Sequence, residues 1–250
     1  IHAIGDRGID MVLDAYEKAL QAYPRADHRH RIEHCGICRP DIIDRIARLG
    51  VVPVSQPVFI IEYGDGFIRH LGLDRIQLTY PFRSFLERGI KLVFSSDCPV
   101  SAFNPLKSVQ AAVTERTGSG QSYALEEAVT VEEALEMFTV AGAYATFEEH
   151  EKGALKPGML SDFAVLDEEA RQVEPERLPR ARRNRAIEKW GVTTVARRFA
   201  GGRSGYITRR SGRRRQVRPG QADVAGASCQ GQRGCRSAMP DARTGTTRER

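Results

Sequence analysis

No stretch of this chain approaches the roughly 20 consecutive apolar residues that a membrane-spanning helix needs, and no basic-then-apolar signal segment opens it. A membrane partner is therefore not expected. Cysteine is scarce and odd in number: Cys35, Cys38, Cys98, Cys229 and Cys235 make no disulfide framework, so a reducing cytoplasmic setting is the expectation. Cys35-x-x-Cys38 has no second pair to complete a zinc site and is weak evidence for a metal or redox centre. There is no initiating Met; the chain opens inside a strand-like run, and an upstream portion is expected to be missing.

What is present suffices for a core. Hydrophobic residues make up 41% of 250, enough for one large domain or a domain and a half. The net charge of +6 hides an asymmetry. Residues 168–250 carry 21 Lys+Arg against 8 Asp+Glu, a net +13, whereas residues 1–167 carry 17 against 24, a net −7. Two physically different segments follow from that contrast. Residues 168–250 read as an Arg-rich, low-complexity tail, disordered or frameshifted, because a segment so poor in periodic apolar side chains buries too little surface to offset its ordering entropy.

Residues 1–150 alternate short apolar runs with amphipathic segments. Ile9, Val12, Leu13, Tyr16, Ala19, Leu20 and Tyr23 recur at spacings of three and four and predict a helix ending near Pro24. Residues 28–34 predict a strand. Pro40 opens a second helix with Ile42, Ile43, Ile46 and Leu49 inward, Gly50 stops it, and residues 51–55 form a β-branched strand. This is the βαβ rhythm of a parallel sheet. Residues 56–80 break it and read as a functional loop or lid. A helix returns over 82–89, and an apolar strand over 90–94 runs into Ser95-Ser96-Asp97. Another helix follows over 105–116, then a Gly/Ser loop over 117–122. Thr130 with Glu133 predicts a capping box that starts a helix through Tyr144. Residues 151–167 read as a turn and a strand, the start of an accessory sheet.

Three of the apolar runs end in metal-competent side chains: His2, His34 and Asp97. Parallel strands of an α/β barrel deliver their last residues to one rim, so these three are expected to converge. Imidazole and carboxylate are the usual ligands of catalytic zinc and similar ions, and a bound metal lowers the pKa of its water. A nearby carboxylate, Asp97, can take that proton and pass it to a leaving nitrogen. Against this stands the plainer reading of any single histidine as a surface or hydrogen-bonded residue. His28, His70 and His150 are left as solvent-facing or supporting, with His30 expected to neighbour the site. Asp6 and Arg7 form a rim ion pair that orients His2, or simply cap the following helix. Cys98 is expected to be a packed thiol.

The residues His2-Ala3-Ile4-Gly5-Asp6-Arg7, His30-Arg31-Ile32-Glu33-His34, Ser95-Ser96-Asp97-Cys98-Pro99-Val100 and the stretch 153–167 together resemble the amidohydrolase superfamily, in its family 3 branch, which includes N-substituted formamide deformylases. The resemblance implies an α/β fold, the C-terminal half of a (β/α)8 TIM-type barrel from strand five to strand eight, leading into a small β-sandwich. It implies that His2 and His34 bind a divalent metal, zinc as one or two ions, and that Asp97 binds metal and shuttles protons. The activity implied is hydrolysis of non-peptide C–N bonds, in an amide or cyclic amide as small-molecule substrate. Two family features are absent: the His-x-His of strand one and the strand-four lysine or acid, because the chain begins at what looks like strand five. Ser161 stands where a small Ala is more usual.

A reading from another class is a catalytically inactive half-barrel whose basic tail binds nucleic acid or other polyanions, since clustered Arg neutralises phosphate. The tail offers only Trp190, Phe199 and Tyr206 for base stacking, so such binding would be non-specific.

Overall fold

The computed structural model describes residues 1–180 and the backbone of three further strands at 183–187, 194–198 and 204–208. Short parallel strands alternate with helices: β1 (His2–Ala3), α1 (Asp6–Ala22), β2 (Arg31–His34), α2 (Pro40–Leu49), β3 (Val52–Ser55), α3 (Val58–Ile76), α4 (Phe82–Glu87), β4 (Val93–Phe94) and α5 (Pro105–Thr114). The four strands form one sheet in the order β1-β2-β3-β4, every pairing parallel. His2 lies opposite Glu33, Glu33 opposite Val54, and Val54 opposite Val93, so these residues share one face. The α/β fold expected from the sequence is thus observed as a four-stranded parallel sheet with helical crossovers.

The helices form where the pattern requires. Ile9, Val12, Leu13 and Tyr16 of α1 are buried, as are Ile42, Ile43 and Ile46 of α2. Pro40 occupies the first turn of α2, where its missing N–H costs nothing, and Gly50 closes the helix at φ 64°. Between the two helices Arg45 reaches Asp10, Asp14 and Glu17 at 3.2, 2.7 and 3.4 Å, and Arg39 reaches Asp10 at 2.9 Å. Singly such half-exposed pairs contribute little; as a shared network they fix how α1 lies on α2. The core proper is built from Leu13, Ile32, Ile42, Ile46, Ile60, Phe82 and Phe85, all fully buried.

Residues 56–80 are not a loop: they are largely helical, α3 running from Val58 to Ile76 with an interruption at Gly72. Its first turn, Val58, Phe59 and Ile60, is buried on all sides, and a helix enclosed by protein shows no amphipathic period. Gly64 is a packing residue rather than a turn, since a Cβ there would stand 2.9 Å from Thr117 Cγ2. The true break is at Gly72, with φ 76°.

The capping box at Thr130 and Glu133 is present with both hydrogen bonds, but the helix it starts is split into α6 (Val131–Phe138) and α7 (Val140–Ala145) by a turn at Thr139. Tyr144 and Phe147 sandwich the Arg29 guanidinium at 3.9 and 4.1 Å, while Arg29 also pairs with Asp27 at 2.7 Å and Glu149 at 2.8 Å. This clamp ties the segment after α7 to the beginning of β2.

Beyond residue 150, β5 (Phe163–Leu166) pairs antiparallel with β6 (Arg183–Ile187), and β7 (Thr194–Arg198) pairs with β8 (Ser204–Thr208). These are two separate ladders, not a closed sandwich, among the described residues. Ala170 and Leu178 are buried in the main core, and residues 175–180 pack on α5, because the few apolar residues of this stretch sit at 3₁₀ turns that face inward. Apart from the backbone of β6, β7 and β8, the rest of the Arg-rich tail, with Trp190 and Phe199, lies outside the described residues. No helix among the described residues is long and apolar enough to cross a membrane.

Candidate metal centre

The ends of β1 and β2 bring two imidazoles together. His34 Nε2 and His2 Nδ1 are 2.9 Å apart, with the rings edge to face at 4.5 Å between centroids. His34 is 6% exposed and stacks on Phe59; His2 is exposed. His34 sits at φ 74°, where the chain turns at the end of β2.

The other nitrogen of His34 is fixed by a residue the sequence reading passed over. Gln56, just past the end of β3 and 2% exposed, places Oε1 2.8 Å from His34 Nδ1. Its amide nitrogen donates to Val54 O at 3.0 Å and to Ser95 Oγ at 2.8 Å, which assigns the oxygen to the histidine. An acceptor at Nδ1 holds the proton there and makes Nε2 the lone-pair nitrogen, the tautomer a metal ligand needs; in this structure that lone pair accepts the hydrogen bond from His2 Nδ1. Ser55 Oγ donates to the carbonyl of His34 at 3.0 Å and completes the support. The signal for Gln56 was its place: like His34 and Asp97, it is the polar residue at the end of an apolar strand.

Asp97 is not gathered with the histidines. It stands beyond β4 at φ 55°, its carbonyl accepting from Val100 N at 2.7 Å. Among the described residues no three His, Cys, Asp or Glu side chains are grouped closely enough to hold an ion. The reason is spacing. β4 is three strands from β1, about 14 Å along the sheet, and only strong curvature would carry Asp97 across the mouth. The two imidazoles are donors of the kind a divalent ion takes, but at 2.9 Å their facing nitrogens are hydrogen-bonded to each other, closer than the ~3.3 Å of two ligands around tetrahedral zinc.

The supporting residues fall elsewhere. His30 precedes β2, about 13 Å of strand from His34, and stacks on Tyr16 and His28 at 4.7 and 4.5 Å; burial and the neighbouring His28 lower its pKa. It does not neighbour the site. Asp6 makes no side-chain pair with Arg7, which is exposed. Its carboxylate accepts from the Arg7 amide at 2.9 Å and pairs with Arg75 and Arg39 at 3.1 and 3.5 Å, so it serves the start of α1. Cys98 is exposed rather than packed, and Cys35 and Cys38 are buried with sulfurs 3.6 Å apart. His70 and His150 face solvent.

Leucine at Gln56 leaves the His34 Nδ1–H without its acceptor. We expect a roughly 10–100-fold loss of Zn²⁺ affinity from it, measured by competition titration; an unchanged affinity would mean that Gln56 does not hold the tautomer.

Comparison with known proteins points one way. The model of the family described as "Amidohydrolase family" matches residues 1–201. The chain is 36% identical over 168 residues to protein LONG AFTER FAR-RED 3 of Arabidopsis thaliana, covering 66% of this chain and 29% of that protein. It is 34% identical over 168 residues to the N-substituted formamide deformylase of Arthrobacter pascens, covering 67% and 31%. Among solved structures, an uncharacterized metal-dependent hydrolase from Pyrococcus horikoshii is similar with a TM-score of 0.60 at 29% identity, over 71% of this chain and 35% of that one. The chain spans about a third of the length of these relatives.

Proposed function

Since the chain belongs to the amidohydrolase family, we propose that it forms part of a metal-dependent hydrolase that cleaves a non-peptide C–N bond, in an amide or cyclic amide of small-molecule size. The observation that carries this reading is the His2–His34 pair at two adjacent strand ends, with Gln56 fixing the His34 tautomer. A divalent ion, zinc first among candidates, supplies Lewis acidity and lowers the pKa of water when bound. His2 Nδ1 and His34 Nε2 would hold it. Asp97 would accept the proton of the attacking water and return it to the leaving nitrogen, one carboxylate serving as base and then acid. A cytoplasmic setting suits the free thiols of Cys35 and Cys38. The likeness to a formamide deformylase makes N-substituted formamides the first substrates to try.

The test uses the full-length protein that contains this chain, stripped of metal and reloaded with Zn²⁺, against N-substituted formamides and cyclic amides. Amine release that requires the ion and stops with a chelator is expected. Absence of both bound metal and turnover in either substrate class would sink the reading.

A further inference from the structure

The turn that carries Asp97 is bonded within itself. Val100 N donates to Asp97 O at 2.7 Å, Cys98 N to Ser96 Oγ at 3.2 Å, and the Ser101 hydroxyl to the Ser96 carbonyl. At its base the segment is joined to His34, because the Gln56 amide nitrogen donates to Ser95 Oγ at 2.8 Å while its oxygen faces His34 Nδ1 at 2.8 Å. A base alone leaves such a turn able to pivot about Ser95 and Ser96. A hold at its far end is what stops the pivot.

That hold comes from α3. Tyr63 Oη donates to Val100 O at 2.7 Å, on the fourth residue of the turn that starts at Asp97. Glu62 beside it grips the stretch that follows, accepting from Ala102 N at 3.3 Å and pairing with Lys107 at 2.6 Å. Phe59, Tyr63 and Phe67 stand four residues apart along one side of the helix, with neighbouring ring centroids 5.0 and 6.4 Å apart, and Phe59 stacks on His34 at 5.9 Å. Of these three rings only Tyr63 carries a polar atom, and that atom goes to the turn. Packing does not account for it: phenylalanine would meet Phe59 equally well, and at 39% exposed Tyr63 is not needed to close the core. Printed contacts thus run from the His34 ring through Phe59 and Tyr63 to the tip of the Asp97 turn.

We propose that Tyr63 is a positioning residue for Asp97: its hydroxyl, holding the Val100 carbonyl, ties the turn that bears the carboxylate to the helix that stacks on His34. The inference rests on the hydrolase reading, which gives the Asp97 carboxylate its part in proton transfer. The bond acts on the backbone of the turn and needs no contact with the carboxylate. A general base must be held within hydrogen-bond reach of the proton it takes, so a turn that pivots lowers turnover rather than substrate binding. Groups that orient the side chains of a metal site are worth roughly 10–100-fold in affinity or activity.

The test is Tyr63→Phe in the full-length protein, read in two ways. Without substrate, amide hydrogen exchange in residues 96–101 should become roughly 2–10-fold faster, the worth of one net hydrogen bond, with exchange in α5 unchanged. In the Zn²⁺-loaded protein, with an N-substituted formamide as substrate, kcat should fall about tenfold at unchanged KM. Exchange that stays at the parent rate in 96–101, or that rises equally in α5, would overturn the proposal, because the hydroxyl would then not hold this turn in particular. Faster local exchange with parent-like kcat, or with KM altered instead, would overturn it as well, since the place of the turn would not matter to proton transfer. If the parent binds no Zn²⁺ and releases no amine, the hydrolase reading falls, and exchange decides the tether by itself: a local rise keeps it and no rise refutes it.

Discussion

Glutamine in place of Glu115 should make the protein more stable near neutral pH, by on the order of 2–4 kcal/mol at pH 8, with the gain shrinking toward zero near pH 4. Glu115 follows α5 at φ 45° and is fully buried, and neither carboxyl oxygen has a hydrogen-bond partner among the described residues. Burial pushes its pKa well above the usual carboxylate range; the Ala124 N–H, near the carboxylate but outside hydrogen-bond geometry, pulls the other way but less, and the charge of Glu127 adds to the rise. The folded state therefore holds a proton that the unfolded state releases at ordinary carboxylate pH. Stability is fully present below the unfolded pKa and falls as pH rises above it, by about 1.4 kcal/mol per pH unit until the folded pKa is reached. Urea unfolding of the parent and of Glu115→Gln across pH 4–8 reads this directly. A parent curve that is flat over that window would show that Glu115 is paired or hydrated.

The second large effect concerns metal. Alanine at His34 or at His2 should lower Zn²⁺ affinity by more than about 100-fold, beyond the loss expected for an orienting neighbour such as Gln56. The two variants differ in what else they disturb. His34 is buried, stacks on Phe59 and satisfies Gln56, so its removal also strands a buried amide oxygen and lowers the melting point. His2 is exposed, and its loss should leave folding untouched. His2→Ala thus separates binding from stability. Parent-like Zn²⁺ affinity in both variants, by equilibrium dialysis, would refute a two-histidine centre.

The parallel sheet and its first two crossovers were legible in the sequence because α1 and α2 each expose one face to water, and exposure writes a period of 3.6 into the residues. α3 left no such trace, since it begins enclosed in protein on every side. The turn at Thr139 was hidden because the apolar pattern runs unbroken from α6 into α7. At the site, His2 and His34 were legible as metal-type residues ending apolar runs. Gln56 was not, because an amide advertises no chemistry until its partners are known. Asp97 was read as part of the cluster on the strength of its strand end, but a strand end fixes height above the sheet and not distance across it.

The sequential order of the sheet also bears on how the chain is assembled during translation. β2, β3 and β4 each pair with the strand made just before them, so these three pairings can be laid down in order of synthesis. Closure comes later. Leu178, fully buried and packed with the α5 region, is not delivered until some 60 residues after α5 has been made. A ribosome that stalls before residue 178 would hold a paired sheet whose core still lacks Leu178, a stage at which a chaperone has apolar surface to protect.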